Sequence, residues 1–301
     1  MRPLSRRAFI ALAGCAVILR RSPAAVVSAL SGSWRLARDL AQIERRVGGR
    51  LGVAVYDADT RRTAGHRIHE RFPMCSTFKL LLAAQILHRV DRAQEQLTRV
   101  IPYTPSNLLE YAPVTRAHVG EGGMSVSALL QAALEVSDNT AANLLLASVG
   151  GPRALTTYLR SIGDPVTRLD RNEPALNGAE PGDPRDTTTP DAMVSDLRQI
   201  LLGNLLSDTS RDHLLEWLQA STTGTHELHA GLPPDWRMGD KTGSGRRGTT
   251  NDVAIIWPTG RSPILVAAFL TDTAAEGPAR NVTLAMVGRA IADWVAAGAP
   301  R

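Results

Sequence analysis

The hydrophobic and polar positions change rhythm several times along the chain. Leu36, Leu40 and Ile43 recur at helical spacing, so the pattern predicts a helix over 34–46, stopped by Gly48-Gly49. Leu51 to Tyr56 reads as a strand, followed by a turn at Asp57-Ala58-Asp59 and a second strand. From Ser76 to about Val90 apolar residues occupy several faces of a helical pattern, which predicts a buried helix. Shorter helical stretches are expected at 125–136, 140–149, 153–161 and 190–202. Residues 163–189 hold four prolines and little periodicity, and a loop of that length in a compact domain is usually functional. The tail reverts to strands at Arg237–Gly243, Asp252–Trp257 and Ile264–Thr271. A last helix striped by Leu284, Val287, Ile291 and Trp294 follows, with Asn281 as its expected cap.

This order predicts an α+β fold. The early and late strands pair in one antiparallel sheet flanked by helices, and an all-helical domain is inserted between them. The expected division is 30–67 with 218–301 for the discontinuous α/β domain and 68–217 for the insertion. A cleft between two such units is a common place for a site.

Residues 1–29 stand apart. Met1–Arg7 is basic, Ala8–Leu19 is apolar, and Val27-Ser28-Ala29 fits a small-x-small cleavage site, so the segment is expected to be an export signal. Ser5-Arg6-Arg7-Ala8-Phe9-Ile10 resembles a twin-arginine signal. Leu12-Ala13-Gly14-Cys15 resembles a lipobox, whose use would make Cys15 a lipid anchor; simple cleavage is the first expectation. The apolar run is too short to span a bilayer, and no transmembrane anchor is expected. The protein is therefore expected outside the cytoplasm, periplasmic or secreted, as a monomer.

Composition adds exclusions. The formal charge is +5, but the five arginines of residues 1–29 account for it, and beyond them bases and acids are equal in number. Aromatics make up 4% of the chain. A basic or stacking surface for nucleic acid is thus not expected. Cys75 is the one cysteine beyond the leader, which excludes an intramolecular disulfide and paired-thiolate metal sites. His226 and His229 are three apart, not the four of a zinc helix, and sit beside Gly231 and Pro233. No metal or organic cofactor is expected.

The sharpest signal is the scarcity of lysine. Of 34 basic residues, two are lysines, Lys79 and Lys241. An amine, unlike a guanidinium, can lose its proton when desolvated. Lys79 closes Ser76-Thr77-Phe78-Lys79, where i, i+3 spacing on a helix brings hydroxyl and amine together. Ser76 also lies at the positive end of that helix, so the arrangement suits an activated nucleophile. Lys241 opens Lys241-Thr242-Gly243-Ser244-Gly245 at the end of a strand, where Lys241 and Thr242 suit a carboxylate and the Ser244 N–H an oxyanion. Ser137-Asp138-Asn139 precedes a helix and reads as a cap. Each motif alone is weak: a surface lysine, a hairpin turn or a plain cap explains it.

Together, and in this order, they make up the signature shared by class A β-lactamases and penicillin-binding proteins. The sequence resembles a class A serine β-lactamase over essentially the whole chain beyond the leader. The segment Arg168 to Asn177 resembles that family's omega loop, set at 168–186, with Glu173 and Asn177 holding the hydrolytic water. The resemblance implies hydrolysis of penicillins and cephalosporins through an acyl-serine intermediate, and so antibiotic resistance. Catalysis is expected from Ser76, Lys79, Ser137 and Glu173, with the acylation base open between Lys79 and Glu173. Substrate contacts are expected from Asn139, Asn177, Lys241, Thr242, Ser244, Tyr111 and Arg280. It further implies an Arg171–Asp186 ion pair and a cis Glu173-Pro174 bond. There are departures. Thr250 stands where many relatives carry an arginine, for which Arg280 is the expected substitute. Asn172 replaces a common aromatic. Gly245 replaces the cysteine that would partner Cys75 in carbapenem-hydrolysing relatives. Rival readings are a D-Ala-D-Ala peptidase, a β-lactam sensor and a silent fold relative. Glu173 and Asn177 speak against the first two, and the intact nucleophile set speaks against the third.

Overall fold

The structure, a computed structural model, describes residues 23–298. The basic and apolar run of the expected leader, Cys15 included, lies outside the described residues. In chain order the elements are α1 (Pro23–Val47), β1 (Arg50–Asp57), β2 (Arg62–His66), β3 (Phe72–Pro73), α2 (Phe78–Asp91), β4 (Val100–Ile101), β5 (Met124–Ser125), α3 (Val126–Glu135), α4 (Asn139–Ser148) and α5 (Pro152–Ser161). Then come β6 (Thr187–Thr188), α6 (Pro190–Leu197), α7 (Asp208–Gln219), β7 (Arg237–Ser244), β8 (Thr250–Trp257), β9 (Ile264–Thr271) and α8 (Gly277–Gly298).

The early and late strands share one antiparallel sheet in the order β2-β1-β9-β8-β7. Both faces are covered, which is why these strands read as nearly continuous apolar runs. Leu51, Val53, Val55, Ala254 and Val266 pack with Leu36, Leu40 and Ile43 of α1 and Leu284, Val287 and Ile291 of α8. Ala54, Val253, Ile255, Ala267 and Phe269 face the other way, into an apolar cluster that continues through α2 to α7. Ten successive residues of α2, Phe78 to Leu87, are buried, so this helix runs through the middle of that cluster. The sheet flanked by helices, with the helical stretch intervening in sequence, is the expected fold class.

Three elements differ from expectation. α1 begins at Pro23 rather than near Trp34, since proline fits a first helical turn and alanine favours helix. Asn281 does not cap the last helix; α8 starts one turn earlier, with Pro278 as its second residue. α7 is additional to the expected helices; Ser207 caps it by accepting from Ser210 N, and Leu214, Trp217 and Leu218 form its buried stripe. The expected helix at 190–202 continues from α6 into one wide turn at Arg198–Leu202.

Candidate active site

Ser76 lies in a tight 3-10 turn, Cys75–Thr77, that leads directly into α2. Its neighbour Cys75 has φ +47° and is fully buried. Such a backbone persists only where the surroundings over-determine it. They do: Asn251 Nδ2, from β8, donates to Pro73 O (2.8 Å) and Met74 O (3.0 Å). Met74 N donates to Asp186 O in the omega loop at 2.9 Å. Lys79 follows one helical turn later, buried.

Ser137 occupies the turn between α3 and α4 with φ +60°. Its conformation is fixed by Asp138, a fully buried carboxylate that caps α4 through Ala141 N (2.9 Å) and accepts from Val114 N (3.0 Å) and Thr115 N (2.9 Å). Asp138 is thus the cap that the sequence suggested, while its neighbours face the site. Lys79 Nζ donates to Ser137 O (2.8 Å), Ser137 Oγ (3.2 Å) and Asn139 Oδ1 (2.7 Å). Lys241 Nζ donates to the same Ser137 Oγ (3.1 Å) and to Thr242 O (2.8 Å). A hydroxyl has two lone pairs and one proton. With both ammoniums donating to it, Ser137 keeps that proton free to give away.

Glu173 completes the group. Its Oε1 accepts from Ser76 Oγ (2.9 Å) and stands 3.2 Å from Lys79 Nζ; its Oε2 accepts from Asn177 Nδ2 (2.6 Å). The Lys79 and Glu173 side chains have no solvent exposure. Glu173-Pro174 is cis. Asn143 on α4 clamps the Glu173 backbone from both sides, accepting from its N–H (3.0 Å) and donating to its carbonyl (2.9 Å). The loop is closed by Arg171 Nε donating to the buried Asp186 carboxylate, whose other oxygen accepts from Asp170 N (2.7 Å) and Arg171 N (2.9 Å). Asn143 was not singled out in the sequence; it lies four residues after Asn139, on the same face of α4.

Electrostatics follow from burial. Desolvation holds the Lys79 amine below the usual lysine range, and the adjacent Glu173 carboxylate opposes that shift. Lys241 is pushed down to about 7, by burial first and by the Lys79 charge second. Both lysines of this arginine-rich chain thus sit where burial favours the neutral amine.

The remaining expected residues line the same place. Gly243 lets β7 lie against the nucleophile turn: a Cβ there would sit 2.8 Å from Met74 O and 3.2 Å from Ser76 N. Ser244 pairs with Thr250 across β7 and β8. Arg280 reaches over from α8, its Nε donating to Thr250 Oγ1 at 2.9 Å. Thr242 Oγ1 shares a hydrogen bond with Thr223 Oγ1 at 2.6 Å, and Thr223 had no signal in the sequence. Tyr111 is half exposed, with its hydroxyl on Val136 O (3.1 Å) and its carbonyl on Asn139 N (3.1 Å). A Cβ at Gly245 would lie 2.6 Å from Cys75 Sγ, so the two positions are neighbours, and Cys75 is a free thiol.

The chain matches a sequence model of the beta-lactamase enzyme family over residues 35–295. It is 43% identical over 293 residues to the β-lactamase CTX-M-25 of Escherichia coli, covering 97% of this chain and 99% of that one. Against the β-lactamase L2 of Stenotrophomonas maltophilia it is 45% identical over 300 residues, 96% and 98% of the two chains. Among solved structures, an ancestral class A β-lactamase superposes with a TM-score of 0.85 at 58% identity, over 86% of this chain and 99% of that one.

Proposed function

From the premise that this chain belongs to the beta-lactamase enzyme family, as a class A serine enzyme, we propose that its chemistry runs through Ser76, Lys79, Ser137 and Glu173. The protein hydrolyses the β-lactam ring of penicillins and cephalosporins through an acyl-serine, and so confers antibiotic resistance. The observation that carries the assignment of residues is the joint contact of Glu173 Oε1 with Ser76 Oγ (2.9 Å) and Lys79 Nζ (3.2 Å).

In acylation Ser76 Oγ attacks the lactam carbonyl, and its proton leaves through Lys79 or through a water held by Glu173, whose Oε1 accepts from Ser76 Oγ at 2.9 Å. The N–H groups of Ser76 and Ser244 receive the developing oxyanion. Ser137 hands its proton to the departing lactam nitrogen and receives in its place the proton taken from Ser76, passed on through Lys79. This opens the ring, leaves an ester on Ser76 and returns Glu173 unprotonated. In deacylation Glu173 takes a proton from a water oriented by Asn177, and the water attacks the ester. Ser76 recovers its proton and the product acid departs.

Lys241, Thr242, Ser244 and Arg280 bind the substrate's carboxylate, Asn139 contacts its side-chain amide, and Tyr111 walls the mouth. Support for Arg280 comes from its hydrogen bond to Thr250, the strand partner of Ser244. Arg280→Ala is expected to raise KM for carboxylate-bearing substrates about tenfold, the worth of one charge-assisted hydrogen bond, with kcat changed far less. The residues 30–67 with 218–301 and the residues 68–217 are proposed as the two lobes that frame the cleft. Among the described residues no helix is long and apolar enough to cross a membrane. Export by the twin-arginine leader 1–29 to the periplasm or the medium is proposed, as a monomer, with a lipid anchor at Cys15 as the tethered alternative. Loss of ultraviolet lactam absorbance under a large molar excess of drug tests the activity. Consumption of many equivalents is expected; arrest at one equivalent would instead mark an acylating sensor or peptidase.

A further inference from the structure

Where α5 meets the base of the omega loop, away from the catalytic group, a cavity of about 490 Å³ opens at the surface. That volume is within the range of small-ligand sites. Arg71, Arg153, Arg160 and Arg168 line it, against one acid, Asp170. Arg153, Thr156 and Arg160 follow at i, i+3 and i+7 along α5 and so share one face of it. Arg71 comes from the segment before β3, and Arg168 opens the omega loop.

Composition does not account for this excess, since bases and acids are equal in number beyond the leader. A neighbouring cavity that shares Arg71 is lined by four arginines and four acids, and is balanced. In the α5 groove one guanidinium is balanced: Arg168 donates to Asp170 through Nε (2.9 Å) and Nη2 (2.6 Å). The other three are not. Arg71 Nη1 donates to Val166 O (3.0 Å) and Thr187 Oγ1 (3.0 Å). Arg160 Nη1 donates to Asp164 O (2.5 Å) and Thr167 O (2.8 Å). These acceptors are neutral, so they fix the two guanidiniums without cancelling their charge, and they leave Nε and Nη2 of each for a ligand. The Asp164 carboxylate is engaged elsewhere, accepting from Val166 N (2.7 Å) and Thr167 N (3.1 Å). The Arg153 side chain has no hydrogen bond or ion pair among the described residues.

Like charges gathered in a concave surface repel one another and focus their field on an incoming anion. Guanidinium forks match the oxygens of a phosphate group. Three charges without a counter-charge suit two joined phosphates better than one.

We propose that the groove between α5 and the base of the omega loop is a binding site for a diphosphate group, held by Arg71, Arg153 and Arg160. Arg71 and Arg160 already grip Val166, Thr167 and Thr187, which flank the omega loop on its two sides. A ligand there ties α5 to both ends of that loop and leaves the catalytic cleft open.

Isothermal titration calorimetry with inorganic pyrophosphate at low ionic strength tests this. One site is expected, with a Kd of about 1 mM, three charge-assisted contacts at the lower end of their range. Arg153→Ala is expected to weaken it about tenfold, and Arg153→Glu to abolish it. Because the Arg153 side chain holds nothing in place, both variants are expected to fold and to keep the parent's kcat and KM. Orthophosphate is expected to bind more weakly. The lysines of the catalytic cleft are the other place for an anion, and Lys241→Ala is expected to leave pyrophosphate binding unchanged. Absence of saturable binding, binding undiminished in Arg153→Glu, equal affinity for orthophosphate, or loss of binding in Lys241→Ala each overturns the proposal. Sedimentation with neutral-lipid vesicles that carry a diphosphate-headed lipid distinguishes the sources. Capture that Arg153→Glu abolishes identifies a lipid headgroup; pyrophosphate binding without capture identifies a soluble diphosphate.

Discussion

Glu173→Gln is expected to cut steady-state turnover by about 10²- to 10⁴-fold, the usual contribution of a positioned general base, and to leave the protein loaded with acyl-enzyme. Glutamine fits the space and keeps a carbonyl for Asn177 Nδ2, now 2.6 Å from Glu173 Oε2, so the loop geometry should survive. What is lost is the acceptor for the water's proton. Acylation retains a route through Lys79, whose amine is already held below its ordinary range by burial. Losing the adjacent carboxylate pushes it further down and makes it a readier proton acceptor. The observable is a burst of about one equivalent followed by slow turnover, with the added mass on the Ser76 peptide.

Lys79→Met is expected to do comparable damage to turnover by a different route, with no adduct accumulating. Methionine matches the length of the lysine stem but leaves Glu173 in a fully buried position with no cation at 3.2 Å. Breaking one side of a buried ion pair costs about 3–5 kcal/mol, which for a chain of this size is several degrees in melting temperature. Asn139 Oδ1 loses its donor at the same time, and Ser137 Oγ loses one of its two. Lys79→Arg should not rescue activity, because a guanidinium cannot give up its proton and its planar fork does not fit the space. Differential scanning calorimetry together with intact mass after drug addition separates this outcome from that of Glu173→Gln.

Much of this site is legible in the sequence because its chemistry is carried by residues that stand out there. Two lysines in an arginine-rich chain, one three residues after Ser76 and the other beside Thr242, mark Ser76, Lys79, Lys241 and Thr242. The aperiodic stretch marks only a functional loop; Glu173 and Asn177 are legible through the resemblance of Arg168 to Asn177 to the class A omega loop. Asn143, Asn251 and Thr223 are less visible. They act on backbone atoms or on other hydroxyls across contacts between distant segments, such as Asn251 to Pro73, which one-dimensional spacing cannot bring together. In the fold, strands and buried helices were readable from apolar runs. α7 was missed because polar residues outnumber its buried stripe. The start of α8 was misplaced because Asn281 offered a plausible cap inside a helix that Pro278 had already begun.

In the proposed reaction Ser76 is acylated and Glu173 then frees it. Intact mass of the protein from residue 30 onwards, followed in time after mixing with excess cephalosporin while drug loss is recorded, tests it most directly. Many equivalents are expected to be consumed, with a short-lived adduct that maps to Ser76 and persists in Glu173→Gln. A stable adduct at one equivalent in the parent would contradict the role of Glu173, and no adduct with no drug loss would contradict the role of Ser76.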